Sequence, residues 1–251
     1  VRLLLLSAFI FIVNHAQAAQ VSIIIDDIGY RQTDEAVLSL PNSITLSVLP
    51  HTPLGKDIAL LASHKGHEIM LHLPMQALNG KKLGAGGLTN KMNEQEFKQT
   101  ITAAFNSIPN VSGVNNHMGS LLTQMDEQMV WLMESLKQQN NYFVDSVTTR
   151  YTKAGEAANR LGIPLLKRQV FLDNDVSETA LENQFQQLIQ QANIEGQVLV
   201  IAHPYPETIR FLQNNLPRLQ QQGLSLVKTS ALLPYRIAQK ESESISGKTH
   251  L

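Results

Sequence analysis

The chain has 251 residues, 43% hydrophobic and only 16% charged, a balance that supports a packed core and argues against disorder. Its 20 basic and 21 acidic residues leave a formal net charge of −1 with no long basic run, which excludes nucleic acid and anionic lipid as partners held by bulk charge. There is no cysteine, so disulfides, thiolate nucleophiles and Cys-ligated metals are excluded, and His, Asp and Glu remain as the strong metal ligands.

Residues Val1–Ala18 join Arg2, an apolar run from Leu3 to Val13 and the small-x-small sequence Ala16-Gln17-Ala18, the pattern of a cleaved secretory signal peptide. An apolar run of about 11 residues falls short of the ~20 that a membrane-spanning helix needs. The expectation is a periplasmic or secreted bacterial protein whose mature chain starts near Ala19 or Gln20 and keeps no stable membrane anchor.

From there β-rich runs alternate with helical patterns. The predicted strands are Val21–Ile25, Ile44–Leu49, Glu68–Leu73, Val111–Asn115, Tyr142–Asp145, Pro164–Leu166 or Val170–Leu172, Gln197–Ala202 and Leu224–Val227. Between them, Met125, Met129, Leu132, Met133 and Leu136 share one helix face, and Leu181, Phe185, Leu188, Ile189 and Ala192 share another. Gly162 and Gly223 stand where helices stop. With no linker and no repeat, residues 19–236 read as a single α/β domain with a mostly parallel sheet, followed by a polar tail, 237–251. Periodicity leaves open whether that sheet closes into a barrel.

Polar groups fall just past the apolar runs: Asp26-Asp27, His72, Asn115-Asn116-His117, Asp145-Ser146, Arg168 and Asp173, His203, and Thr229-Ser230. The carboxyl ends of parallel strands converge on the ligand site in barrels and open sheets alike, so these groups are expected to meet. Each has a plainer reading alone: Asp27 or Asp145 as a turn cap, His72 as a core histidine, Arg168 with Asp173 as an ion pair. Two adjacent carboxylates at a buried strand end repel each other, and persist more readily when a cation neutralises one of them. His51, His64 and His67 lie at loop or helix ends and read as structural. The Gly-rich stretch Asn79–Gly87 lacks the Lys-Ser or Lys-Thr of a phosphate loop and reads as a surface loop or a lid beside His72.

In chain order, Ile25-Asp26-Asp27-Ile28-Gly29, His72-Leu73-Pro74-Met75, Asn116-His117-Met118-Gly119-Ser120, Phe171-Leu172-Asp173-Asn174 and His203-Pro204 resemble the divergent polysaccharide deacetylase family, part of the NodB-homology superfamily. The resemblance runs from about Val21 to Leu233. It implies a distorted (β/α) barrel of about seven parallel strands with a divalent metal at its carboxyl-end face. In the wider superfamily a first Asp acts as base, a second binds metal, and a His-x-x-x-His pair adds two ligands; Asp26, Asp27 and His72 match, but Gln76 stands in the last place. His117 arrives where that ligand is missing, and Asn115-Asn116 where an Arg motif is usual. The implied metal triad is Asp27, His72 and His117, holding Zn²⁺, with Asp26 as base and His203 as acid. Asn115, Asn116, Ser120, Asp145, Ser146, Arg168 and Asp173 are expected around them, supporting the site or touching substrate. The implied reaction is removal of N-acetyl groups from an envelope amino-sugar polymer such as peptidoglycan; the alternative is a barrel that binds metal or glycan without turnover.

Overall fold

A computed structural model describes residues 18–234; the expected signal segment up to Gln17 and the expected polar tail lie outside them. The apolar runs become nine strands: β1 (Gln20–Ile28), β2 (Thr45–Val48), β3 (Ile69–Met75), β4 (Val111–Met118), β5 (Tyr142–Asp145), β6 (Leu165–Lys167), β7 (Val170–Phe171), β8 (Gln197–Ala202) and β9 (Ser225–Leu226). Seven helices connect them: α1 (Gly55–His64), α2 (Glu94–Ser107), α3 (Asp126–Gln139), α4 (Ala154–Leu161), α5 (Glu178–Glu195), α6 (Pro206–Asn215) and α7 (Pro217–Gln221). No helix among the described residues is long and apolar enough to cross a membrane.

The strands pair in the order β6-β5-β4-β3-β2-β1-β8-β7, and β9 also pairs with β1. All the pairings are parallel. Both alternatives for the sixth predicted strand form. β6 pairs with β5 and β7 with β8, so the chain itself crosses from one side of the seam to the other. Arg168 N–H donates to Asp145 O at 3.0 Å on one side, and Gln169 N–H to Leu199 O at 2.9 Å on the other. This split strand is what distorts the barrel, and it explains eight strands along the path where about seven were expected.

Alternation along each strand divides the core. Ile23, Ile25, Leu46, Leu71, Phe143 and Val200 face the helices, while Ile24, Met70, Val144, Leu199 and Ile201 fill the barrel interior. The helix stripes dock as their spacing requires: Met129, Leu132, Met133 and Leu136 of α3, and Leu181, Phe185, Leu188, Ile189 and Ala192 of α5, are buried. Gly162 ends α4 at φ +71°, a conformation that carries little cost only without a Cβ.

One expected placement is corrected. β9 spans two residues and pairs with Gln20 and Val21 at the start of β1, so the 3₁₀ turn Thr229–Leu232 closes the amino end of the barrel. Thr229 and Ser230 therefore lie away from the carboxyl-end face. The Thr229 hydroxyl bonds Ser22 and Thr45, each at 2.9 Å, and Ser230 bonds Glu68, all three at the amino ends of their strands. A strand this short does not carry the chain across the barrel.

Candidate metal centre

β1 leaves regular extension at its carboxyl end. Its register against β2 shifts between Ile25 and Ile28, and Asp27 sits at φ +60°. A β-bulge of this kind re-aims side chains, so the adjacent Asp26 and Asp27 both serve the carboxyl-end face. Met118 at the end of β4 and Val147 after β5 also have positive φ, +56° and +50°. For a β-branched valine this is an outlier, and such strain of about 1–3 kcal/mol gathers where surrounding structure enforces it.

β3 presents His72 inward, and register sets Asn115 of β4 directly beside it. Two residues further along β4, His117 faces the same way. Asp27 Oδ1 lies 2.7 Å from His117 Nδ1 and 3.1 Å from His72 Nε2, and the two ring nitrogens are 3.2 Å apart. Although buried and crowded by nitrogen, Asp27 Oδ1 makes no properly directed hydrogen bond. Donor atoms about 3.3 Å apart are what tetrahedral bonds of ~2.0–2.1 Å to zinc produce, so the three side chains fit a cation better than they fit one another. Among the described residues, they are the one His/Asp/Glu group with ligand atoms this close.

Asn115 joins the cluster to Asp26. Its Oδ1 accepts from His72 Nδ1 at 2.8 Å and from the Ser47 hydroxyl at 2.6 Å, while its Nδ2 donates to Asp26 Oδ1 at 2.7 Å. Holding the proton on Nδ1 leaves the His72 Nε2 lone pair aimed at Asp27 and His117, the usual work of a residue behind a metal ligand. Burial raises the Asp26 carboxyl above the ordinary range, against the opposing pull of His72 and His203. Burial also acts on Asp27, but the close His117 and His72 imidazoles outweigh it and hold that carboxyl far below its usual value. Burial would lower the His72 imidazole; the Asp26 and Asp27 carboxylates reverse this and push it up to about 9. The centre therefore favours positive charge at the place where a cation would compete with that proton.

His203 follows β8 and is oriented by Asp173. Asp173 Oδ1 meets His203 Nδ1 at 2.9 Å, and its Oδ2 accepts from the His203 N–H at 2.6 Å and the Thr208 hydroxyl at 2.9 Å. Nε2 is left facing the centre, 3.9 Å from Asp27 Oδ2. Burial works against the charged imidazole, yet the Asp173 carboxylate raises its pKa overall.

Other expected residues brace the scaffold. Asn116 accepts from Ser146 N–H through Oδ1 at 2.9 Å and donates to Met118 O at 2.7 Å, tying β4 to β5. Ser120 Oγ accepts from Leu78 N–H at 3.0 Å. Arg168 makes no ion pair with Asp173; it donates to Ser146 O at 2.8 Å and Val147 O at 3.2 Å, clamping the strained turn after β5. Asp145 Oδ1 caps that turn at Val147 N–H, 2.9 Å, and its Oδ2 is buried without a partner. Gln76 fastens the Gly-rich loop: its Oε1 accepts from Asn90 N–H at 2.8 Å, and its N–H donates to Leu88 O at 3.0 Å. His67 Nδ1 meets Ile44 O at 2.9 Å and is structural, as expected. Sequence reasoning missed Ser47 and Thr208. Ser47 was detectable, because a hydroxyl at an inward position of the apolar run Ile44–Leu49 calls for a partner; nothing local marks Thr208.

The family model for divergent polysaccharide deacetylases matches residues 23–233. The Escherichia coli K12 protein YibQ is 39% identical over 217 residues, 86% of this chain and 68% of that protein. A Haemophilus influenzae Rd protein is 32% identical over 204 residues, 81% of this chain and 73% of that one. The crystal structure of ATU2773 from Agrobacterium tumefaciens C58 superposes with a TM-score of 0.83 at 22% identity, covering 87% of this chain and 90% of that one, a likeness that speaks for the fold. The chain belongs to the divergent polysaccharide deacetylase family.

Proposed function

We propose that the protein is an exported, metal-dependent hydrolase that removes N-acetyl groups from an amino-sugar polymer of the bacterial envelope. The observation that carries this reading is the meeting of Asp27 Oδ1, His72 Nε2 and His117 Nδ1, with Asp26 and the His203–Asp173 pair beside them. These three side chains would hold the cation, and two imidazoles with one carboxylate and open positions suit Zn²⁺. When bound, such a cation supplies Lewis acidity that polarises an amide carbonyl and acidifies water. Asp26, its carboxylate fixed by Asn115, takes a proton from the attacking water as that oxygen bonds to the acetyl carbon. His203 Nε2, set by the Asp173 bond on the other ring nitrogen, gives a proton to the nitrogen as the C–N bond breaks, leaving acetate and a free amine. A barrel that only binds metal or glycan needs neither group.

Metal analysis of the purified mature chain, run alongside acetate release from N-acetylglucosamine oligomers, tests this. The expected result is one divalent ion per chain with acetate released. His203→Ala should keep the metal and lose about 10²–10⁴-fold in rate, the usual contribution of a positioned general acid or base. A metal-loaded wild type that releases no acetate from any N-acetylated glycan replaces the hydrolase with a binding protein.

A further inference from the structure

The described residues include six exposed large hydrophobics, and four of them, Tyr30, Leu78, Tyr151 and Val176, sit on loops that leave the carboxyl ends of strands. Scattered apolar residues are ordinary on a surface; a set gathered round one cleft marks a contact face. The two aromatics are paired in sequence with a guanidinium, as Tyr30-Arg31 after β1 and Arg150-Tyr151 after β5. Tyr30 is 51% and Tyr151 58% exposed. The Arg150 guanidinium stacks on the Tyr151 ring, 4.7 Å from its centroid. The loop after β3 closes up to Tyr30 so tightly that a Cβ on Gly84 would lie 3.0 Å from the phenol oxygen, which brings Lys81 and Lys82 to the same rim. Tyr205 continues the rim inward, its ring 5.7 Å from that of His203.

Charge on three of the four rim loops is one-sided; the fourth, residues 172–177 with Val176, carries Asp173, which is engaged with His203, and the exposed Asp175. Residues 28–33, 76–93 and 146–153 carry Arg31, Lys81, Lys82, Lys91, Arg150 and Lys153 and no Asp or Glu, in a chain whose formal net charge is −1. Among the described residues Lys153 alone of these six makes an ion pair, with Glu156. Aromatic faces beside unpaired cations complement a ligand that offers apolar ring faces and anionic substituents together.

We propose that this rim binds a glycan strand whose sugars carry carboxylates, with Tyr30 and Tyr151 stacking on sugar rings and Arg31, Arg150 and the loop lysines meeting the carboxylates, so that acidic glycans are preferred to neutral ones. This rests on the glycan-hydrolase reading above. Titration calorimetry on the metal-loaded His203→Ala chain avoids turnover and compares two tetrasaccharides of the same N-acetylhexosamine backbone: neutral chitotetraose, and the alternating N-acetylmuramic acid form with added lactyl carboxylates. Several exposed charge contacts of modest strength together give about a tenfold preference for the acidic glycan at low salt, fading toward parity at ~0.5 M salt. Arg31→Gln combined with Arg150→Gln should abolish the preference, while Tyr30→Ala or Tyr151→Ala weakens both glycans alike. Equal affinities at low salt, a preference that survives the double Arg variant, or no measurable binding of either glycan overturns the proposal. Acetate release by the wild type is scored separately: no release with the preference intact removes the hydrolase and leaves the rim.

Discussion

Each end of the barrel holds a carboxylate oxygen out of solvent, in opposite company. At the amino end Glu68, 6% exposed, has both oxygens filled: Oε1 accepts from the Tyr142 hydroxyl at 2.5 Å, and Oε2 from the N–H and hydroxyl of Ser230, each at 3.1 Å. At the carboxyl end Asp27 Oδ1 is buried among ring nitrogens without a directed hydrogen bond, and beside it the backbone at Asp27 is itself strained. A carboxylate saturated by neutral donors fastens the fold; one facing imidazole lone pairs is arranged for something positive. A carboxylate oxygen hidden from water is common to both cases, and the identity of its neighbours separates them.

The largest expected effect comes from exchanging damage between the ends. His117→Ala should strip the metal, because one of three protein ligands is gone, while the metal-free chain unfolds no earlier in urea than metal-free wild type. Glu68→Ala should do the reverse. It keeps the metal and costs about 3 kcal/mol, since the Tyr142 hydroxyl and the Ser230 donors are left buried or half-buried without an acceptor. Metal analysis and urea midpoints on both variants check the pair. Metal retained at full occupancy in His117→Ala rejects the triad, and a wild-type midpoint for Glu68→Ala rejects the plug.

Asn115 sharpens the same contrast on a smaller scale. It touches both the proposed ligand His72 and the adjacent Asp26, so Asn115→Ala should lower metal affinity by about 10–100-fold without removing a proposed ligand. Competition with a chelator measures this, and an unchanged affinity would mean that backbone geometry alone orients His72.

How far the two ends are legible in the sequence follows from the same residues. Asp26-Asp27, His72 and His203 interrupt or end strongly apolar runs, and alternation along β4 sets Asn115 and His117 on one face, so the carboxyl end announces itself. The amino end does not. Glu68 opens its predicted strand as any solvated residue would, and its partner Ser230 lies 162 positions away. Thr229-Ser230 follow an apolar run just as the site residues do, and only the two-residue pairing of β9 with the start of β1 reveals that they sit at the other end. The split of β6 from β7 is equally hidden, because Leu165–Lys167 and Val170–Phe171 each make an acceptable strand and local pattern does not say that both form with different neighbours. Arg168, expected to support the site or touch substrate, donates through Nε and one Nη to the carbonyls of Ser146 and Val147, a pairing that its place beside a strand end does not announce.

The smallest effect concerns the hydroxyl that fills Glu68. Burial, with the Glu68 charge next to it, pushes the Tyr142 phenol well above its usual 10.0. A group whose pKa is raised on folding contributes stability that is fully present below its unfolded value and is lost as the pH climbs past it, because the unfolded phenol releases its proton first. Wild-type stability should therefore hold through neutral pH and gain an additional decline above about pH 10 from this residue. Tyr142→Phe removes one hydrogen bond to a charged acceptor, so it should cost about 1.5 kcal/mol near pH 7 and flatten that alkaline decline. Urea midpoints from about pH 7 to 11 compare the two chains. Parallel decline above pH 10 would assign the titration to other groups and leave Tyr142 as a plain hydrogen-bond donor to Glu68.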